Sequence, residues 1–231
     1  MWDWVSTIIP NEMAYAIIPR FSDIVLVQHQ GQKRLADERG LRSMLFPNIV
    51  SSDVFMIEGK RDRKNVVIVG AITSRKSLHL LVPVVKKLSH IIFEFVGAPG
   101  DAAGGRIQDE LKACSNVILH GRLDRRKTLE KIAGAKVLLN TSRMEGFPNA
   151  FLEAWALGTP VISLFVDPGD QIKNNRLGYV CAGDIEVLEK LLDDLRFDIK
   201  EDDLHRYVQK HHSPACAADV FRRLLSEVGV R

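Results

Sequence analysis

From Asn65 onward the sequence predicts a doubly wound α/β fold, a parallel sheet covered by helices on both faces, on three observations. Short β-branched runs recur, and amphipathic stretches with apolar residues three or four apart lie between them. Those stretches are also long enough to serve as crossover helices. The strands expected are Val66 to Val69, Ile91 to Val96, Val117 to Leu119, Val137 to Leu139 and Val161 to Ser163. The helices between them are Arg75 to Leu88, Arg106 to Ala113, Lys127 to Ala133 and Asn149 to Leu157.

Before this domain the pattern predicts a helix around Glu12 to Ile18, a strand at Ile24 to Gln28, a helix at Gln32 to Arg39 and a short strand at Met44 to Phe46. Two strands and two helices cannot bury a core of their own. The charged run from Glu58 to Lys64 has the composition of a solvated linker. Beyond Gly178-Tyr179-Val180 three more helices are expected: Ile185 to Leu195, Asp202 to His211 and Ala215 to Val228.

The composition excludes several classes. A chain of 231 residues with 46% hydrophobic content can bury a sizeable core, and a net charge of +3 is far from a nucleic-acid-binding signature. That mild excess is compatible with phosphates or an anionic membrane surface. Three cysteines without a C-x-x-C spacing fit a reducing compartment and predict a cytoplasmic protein. No run of about 18 apolar residues occurs, and the N-terminus does not resemble a secretory signal. Neither G-x-S-x-G nor G-x-x-x-x-G-K is present, which argues against a nucleophile-elbow hydrolase and a P-loop ATPase. The seven histidines lack metal-ligand spacing, and no metal site is expected.

The segment from Thr141 to Ser163 carries the chemistry. After a strand ending near Asn140, a polar loop runs to Phe147, Pro148 suits the first turn of a helix, and Gly158 with Pro160 stops it. A helix start at the carboxyl end of a parallel strand offers unpaired N–H groups and a positive dipole end, the place where open α/β sheets bind phosphates. Glu145 in the loop and Glu153 in the helix are expected to face one crevice at different depths. As carboxylates they suit a ligand rich in hydroxyls, such as ribose and hexose. On spacing alone they equally fit helix-start electrostatics or surface solvation.

The run E-G-F-P-N-A-F-L-E-A-W-A-L-G-T-P-V-I-S, residues 145 to 163, resembles the E-x(7)-E signature of retaining glycosyltransferases of family 4, whose members have the GT-B fold. The resemblance extends from about Phe21 to the C-terminus and implies that the chain corresponds to the later, donor-binding half of a family member. It implies the following organisation: residues 1 to 56 a remnant of the N-terminal acceptor domain, 57 to 64 a linker, 65 to 212 a Rossmann-like donor domain, and 213 to 231 a helix that packs on the N-terminal domain. The Gln28 to Gln32 run resembles the end of that first domain. Exposed apolar surface on the final helix then predicts self-association or a partner chain carrying the acceptor domain.

Carried over position by position, the resemblance implies that Glu153 holds ribose hydroxyls and that Glu145 contacts the transferred sugar. Backbone amides around Gly146, Phe147, Asn149, Ala150 and Phe151 would hold sugar and diphosphate. Pro148 departs from the commoner glycine and removes one donor. Residues 69 to 77, V-G-A-I-T-S-R-K-S, resemble the family's V-G-R-(x)4-K-G turn, which makes Lys76 the cation that meets the leaving diphosphate. Taken alone, Lys76 also fits a solvent-facing lysine. Ala71 stands where the family has arginine, and Arg75 is the neighbouring substitute. Two looser matches are F-V-G-A-P-G, residues 95 to 100, and L-H-G-R-L, residues 119 to 123. The second implies a base site at Gly121, Arg122 and Leu123, although both fit ordinary βα turns.

The function implied is hexosyl transfer, in polysaccharide biosynthesis, from a UDP- or GDP-linked sugar with retention of configuration, without a cofactor and without a metal. The alternatives are a nucleotide-sugar-binding module that does not transfer and, less in keeping with the signature, an epimerase of the same fold.

Overall fold

The computed structural model describes residues 21–57 and 63–227. The helix expected at Glu12 to Ile18 and most of the charged run from Glu58 lie outside the described residues. The chain forms two compact units, one made of residues 1–48 with 215–231 and the other of residues 49–214.

In the first unit β1 (Val25–Val27) and β2 (Ser43–Leu45) pair in parallel around the crossover helix α1 (Gln30–Glu38). The Gln28 to Gln32 run is a helix cap. His29 Nδ1 accepts from the Gln32 amide, and Gln32 Oε1 accepts in return from the Gln28 amide at 2.7 Å. The helix Pro214–Glu227 belongs almost entirely to this unit, where Arg42 pairs with Glu227. Phe221 on that helix and Leu26 and Leu35 nearer the N-terminus are about half exposed.

The second unit is a six-stranded, fully parallel, Rossmann-like sheet. Its strands are β3 (Val66–Val69), β4 (Phe93–Val96), β5 (Val117–Gly121), β6 (Val137–Asn140), β7 (Val161–Ser163) and β8 (Gly178–Val180), in the spatial order β5-β4-β3-β6-β7-β8. Side-chain alternation divides the core between the two faces. Val66, Ile68, Phe93, Phe95, Val137 and Leu139 pack under α2 (Leu81–Lys87), α3 (Ala102–Lys112) and the helix Ile185–Asp194. Val67, Val96, Leu138 and Val161 pack under α4 (Arg125–Ala133), α5 (Asn149–Ala156) and the helix Glu201–His212.

Three differences from the sequence expectation have local causes. The stretch Arg75 to Leu88 is not one helix: two short 3-10 turns, Ser74–Lys76 and Leu78–Leu80, precede α2, with Ser77 between them in the left-handed region at φ 52°. Lys76 therefore sits in a turn. The strand β8 is additional to the five expected, because three residues opened by glycine carry too little pattern to show. Gly178 is required there, since a Cβ would lie 1.9 Å from the Val161 carbonyl oxygen. Arg63, expected in a solvated linker, is largely buried and donates to the Leu157 and Gly158 carbonyls at 3.0 and 2.6 Å. A cation at these acceptors stabilises the C-terminal end of α5.

Going outward from β3, β4 and β5 lie to one side and β6, β7 and β8 to the other. The strand order thus reverses between β3 and β6, and the loops leaving the two strands diverge to opposite faces. The carboxyl ends of such a strand pair are where open α/β sheets take a ligand, and here the space between them, beside Gly70, Lys76, Thr141 and Ser142, measures about 10 Å³. The β3 and β4 turns meet closely there, with a Cβ on Gly97 falling 1.9 Å from the Gly70 carbonyl oxygen. Gly97→Ala is expected to lower stability by about 3 kcal/mol through this backbone clash. Urea denaturation measures it, and an unchanged midpoint would show that the two turns can separate freely.

Candidate functional site

The loop after β3 and the loop after β6 deliver their charged residues to the same place. Lys76 Nζ donates to Glu145 Oε1 at 2.5 Å, with both side chains about three-quarters buried. The Thr141 hydroxyl donates to the Lys76 carbonyl oxygen at 2.6 Å, so the two loops are also joined through the backbone. Burial alone pushes the Glu145 carboxyl up, but the hydrogen bond and charge of Lys76 and the charge of Arg75 outweigh it and hold the group below the usual glutamate value.

The turn carrying Lys76 is fixed from its other side by Asp101, the N-cap of α3. Asp101 Oδ2 accepts from the Ser74 amide at 3.0 Å and from the Ser74 hydroxyl at 2.9 Å, while Oδ1 accepts from the Gly104 amide at 2.6 Å. These bonds hold the Asp101 carboxyl below its ordinary value. Arg75 and Lys76 are thereby presented on a braced turn rather than on a free loop.

On the β6 side Pro148 is the N-cap of α5, one residue earlier than the first-turn position expected of it. Phe147 places its ring in the core against Trp155 and His212, which pins the loop between Glu145 and the helix. Phe151 is fully buried and its amide donates to the Pro148 carbonyl at 3.0 Å, closing the first turn. Trp155, also fully buried, donates from Nε1 to the Leu177 carbonyl at 2.9 Å. The helix start is thus held by three aromatic residues from behind, and Asn149 and Ala150 form its leading edge.

Glu153 follows one turn into α5 and accepts from Arg125 Nη1 at 2.7 Å. Glu145 and Glu153 are therefore each neutralised by a separate cation. A small cavity of about 100 Å³ beside Glu153 is lined by Ser51, Arg125, Asn149 and Leu152. Gly121 takes φ 67° at the end of β5, and its carbonyl accepts from the Gly97 amide at 2.8 Å. Arg122 is exposed, and Leu123 turns into a second cavity, of about 650 Å³, beside His120, Glu94 and Lys131.

Sequence reasoning did not find three features. Arg125 lies one residue after the N-cap Asp124, and nothing in its local sequence points to a partner in α5. Asp101 carried the signal of a helix cap but no sign that it also holds Ser74. Glu94 is a buried carboxylate inside β4 that accepts from Asn65 at 2.6 Å and Lys131 at 2.7 Å and pairs with His120 at 2.6 Å. Burial pushes it up, yet Lys131, Asn65 and His120 together hold it below the ordinary value.

With this geometry in place, comparison with known proteins gives the family. Residues 63–196 match the model of the group 1 glycosyl transferases, more than half of the chain, and the chain belongs to that family. Anabaena HepE, solved in complex with UDP and glucose, is similar with a TM-score of 0.76 at 13% identity, over 95% of this chain and 66% of its own. A TarM variant of S. aureus, solved with fondaparinux, alpha-GlcNAc-glycerol and UDP, gives 0.73 at 18%, over 89% of this chain and 44% of its own. Sucrose-phosphate synthase from Thermosynechococcus elongatus gives 0.71 at 19%, over 93% of this chain and 61% of its own. At these identities the likeness is one of fold, and the chain spans about half to two thirds of the length of these structures. No curated protein sequence matches the chain. Among the described residues no helix is long and apolar enough to cross a membrane.

The depressed Glu145 carboxyl sets a pH dependence. The folded state binds fewer protons there than the unfolded state, so the contribution of the Lys76 pair is complete above the ordinary glutamate value and is lost as pH falls through the folded one. Between about pH 5 and pH 3, Glu145→Gln is expected to remove about 1 kcal/mol of the acid-induced loss of stability. Denaturation series in buffered steps would reveal it, and parallel curves for both proteins would show that the pair contributes nothing.

Proposed function

We propose that this chain is the donor-binding half of a retaining, family 4 glycosyltransferase that transfers a hexosyl group from a UDP- or GDP-linked sugar. The observation that carries the reading is the meeting of Lys76 and Glu145 at the strand-order reversal, beside the first turn of α5. A parallel sheet binds its ligand at such a reversal, and a helix start favours a diphosphate. Membership of the group 1 family and the UDP bound in the HepE and TarM structures favour a nucleotide-sugar donor.

In this reading the nucleotide base lies at Gly121, Arg122 and Leu123, Glu153 takes the ribose hydroxyls, and the amides of Gly146, Phe147, Asn149 and Ala150 meet the diphosphate and sugar. Cleavage at the anomeric carbon develops negative charge on the departing diphosphate. Lys76 and Arg75, on their braced turn, are the cations placed to stabilise it, with Arg75 serving for the arginine that Ala71 replaces. Transfer also needs an acceptor held against the donor, since alignment supplies much of the rate. The half-exposed Leu26, Leu35 and Phe221 offer apolar surface for an acceptor-binding domain, a partner chain or a second copy. We place the protein in the cytoplasm.

Titration calorimetry with UDP, GDP and the parent nucleosides tests the donor site. Lys76→Ala is expected to weaken the preferred diphosphate about tenfold while leaving its nucleoside within about twofold. Equal losses for both would reject the phosphate contact, and a folded wild-type protein that binds none of them would reject the donor site itself.

A further inference from the structure

Arg125 stands where three segments of the second unit converge: the turn Ser52–Met56, the start of α4 and the second turn of α5. Its Nη1 donates to Glu153 Oε1 at 2.7 Å and its Nε to Asp53 Oδ2 at 3.3 Å. The guanidinium is thus held between two carboxylates, and the bond to Glu153 leads the effects that raise its pKa. The Glu153 side chain is only 17% exposed. Its second oxygen, Oε2, receives no hydrogen bond among the described residues. Glu153 lines, with Arg125, Ser51 and Asn149, the cavity of about 100 Å³ at the front of α5.

A glutamate on a helix has three rotatable side-chain bonds, and an acceptor that must be ordered on binding weakens the complex by the entropy of ordering it. Arg125 removes most of that freedom in advance. It occupies one carboxylate oxygen, fixes the carboxylate plane from a neighbouring helix and leaves the other oxygen available. Asp53 accepts from Arg125 Nε on the other side, at the exposed edge of the site, and favours the orientation in which Nη1 reaches Glu153. Arg125 also balances a carboxylate that would otherwise repel an anionic ligand.

We propose that Arg125 is a positioning residue that holds Glu153 for a vicinal diol and so makes the site selective for ribonucleotides. This rests on the donor-site reading above. It adds the residue that sets sugar selectivity, and it separates Arg125 from the phosphate-binding cations Lys76 and Arg75. A guanidinium acting only as a structural brace would affect every ligand alike. One acting on the phosphates would do the same for ribonucleotides and their dideoxy forms.

The test is calorimetric titration of the whole chain with UDP, GDP and their 2′,3′-dideoxy counterparts. The proteins are the wild type, Arg125→Ala, Arg125→Lys, Glu153→Gln and the Arg125→Ala/Glu153→Gln double variant, each checked for an intact thermal transition. The wild type is expected to favour the ribonucleotide about tenfold, as a hydrogen bond to a charged acceptor allows. Arg125→Ala is expected to reduce the preference to about twofold, chiefly by weakening the ribonucleotide, and Arg125→Lys to restore part of it. Glu153→Gln is expected to reduce it similarly, and the double variant to lose no further selectivity. Should Arg125→Ala fail to fold, Arg125→Lys carries the comparison through its partial loss. Equal weakening of ribo and dideoxy ligands by the Arg125 variants, or additive losses in the double variant, would overturn the positioning role while leaving the donor site standing. A wild type that binds neither UDP nor GDP would overturn both.

Discussion

The reversal of strand order between β3 and β6 is the constraint from which the rest of the site follows. Parallel strands need crossovers, and a sheet that grows outward in both directions from its first strand must send successive loops to opposite faces. At the reversal the turn after β3 and the loop after β6 face each other. The Lys76–Glu145 ion pair and the bond from Thr141 to the Lys76 carbonyl join the two sides. Asp101, Phe147 and Trp155 hold those sides in place from their own elements.

Electrostatics explains how two carboxylates can stand beside the positive end of the α5 dipole and still leave room for an anion there. A bare glutamate beside a bound diphosphate would oppose it. Here Glu145 is matched by Lys76 with Arg75 nearby, and Glu153 by Arg125, while Arg63 stabilises the far end of α5. Pairing each carboxylate with a cation keeps the front of the helix from being strongly negative. Lys76 in this arrangement has two possible anionic partners, the carboxylate that holds it now and a phosphate that would compete for it.

Much of this was open to sequence reasoning because it is local. The strands Val66–Val69 and Val161–Ser163 emerge with the bounds expected, since a compact β-branched run between turn signals is self-contained information. Glu145, Glu153 and Lys76 stand out in the sequence because they lie in motifs of fixed spacing just beyond strand ends. Other features depend on partners distant in sequence. Arg125 acquires meaning only beside Glu153, Asp101 only beside Ser74, and Arg63 only against the carbonyls that close α5. The break in Arg75 to Leu88 was hidden for a related reason. Its apolar spacing suits a helix, but Ser77 adopts a left-handed conformation while the turn that carries Lys76 is tied to Asp101.

A donor nucleotide at the reversal, against the start of α5, would touch three segments of the second unit at once. The most direct test is a ¹H–¹⁵N NMR titration of the protein with UDP and with GDP, following every backbone amide. One of them is expected to shift the amides of Gly70 to Ser77, of Gly146, Phe147, Asn149 and Ala150, and of Gly121 to Leu123 together, with a common binding isotherm. Shifts confined to the cavity around Glu94 and Lys131, with the α5 start unmoved at saturation, would contradict it.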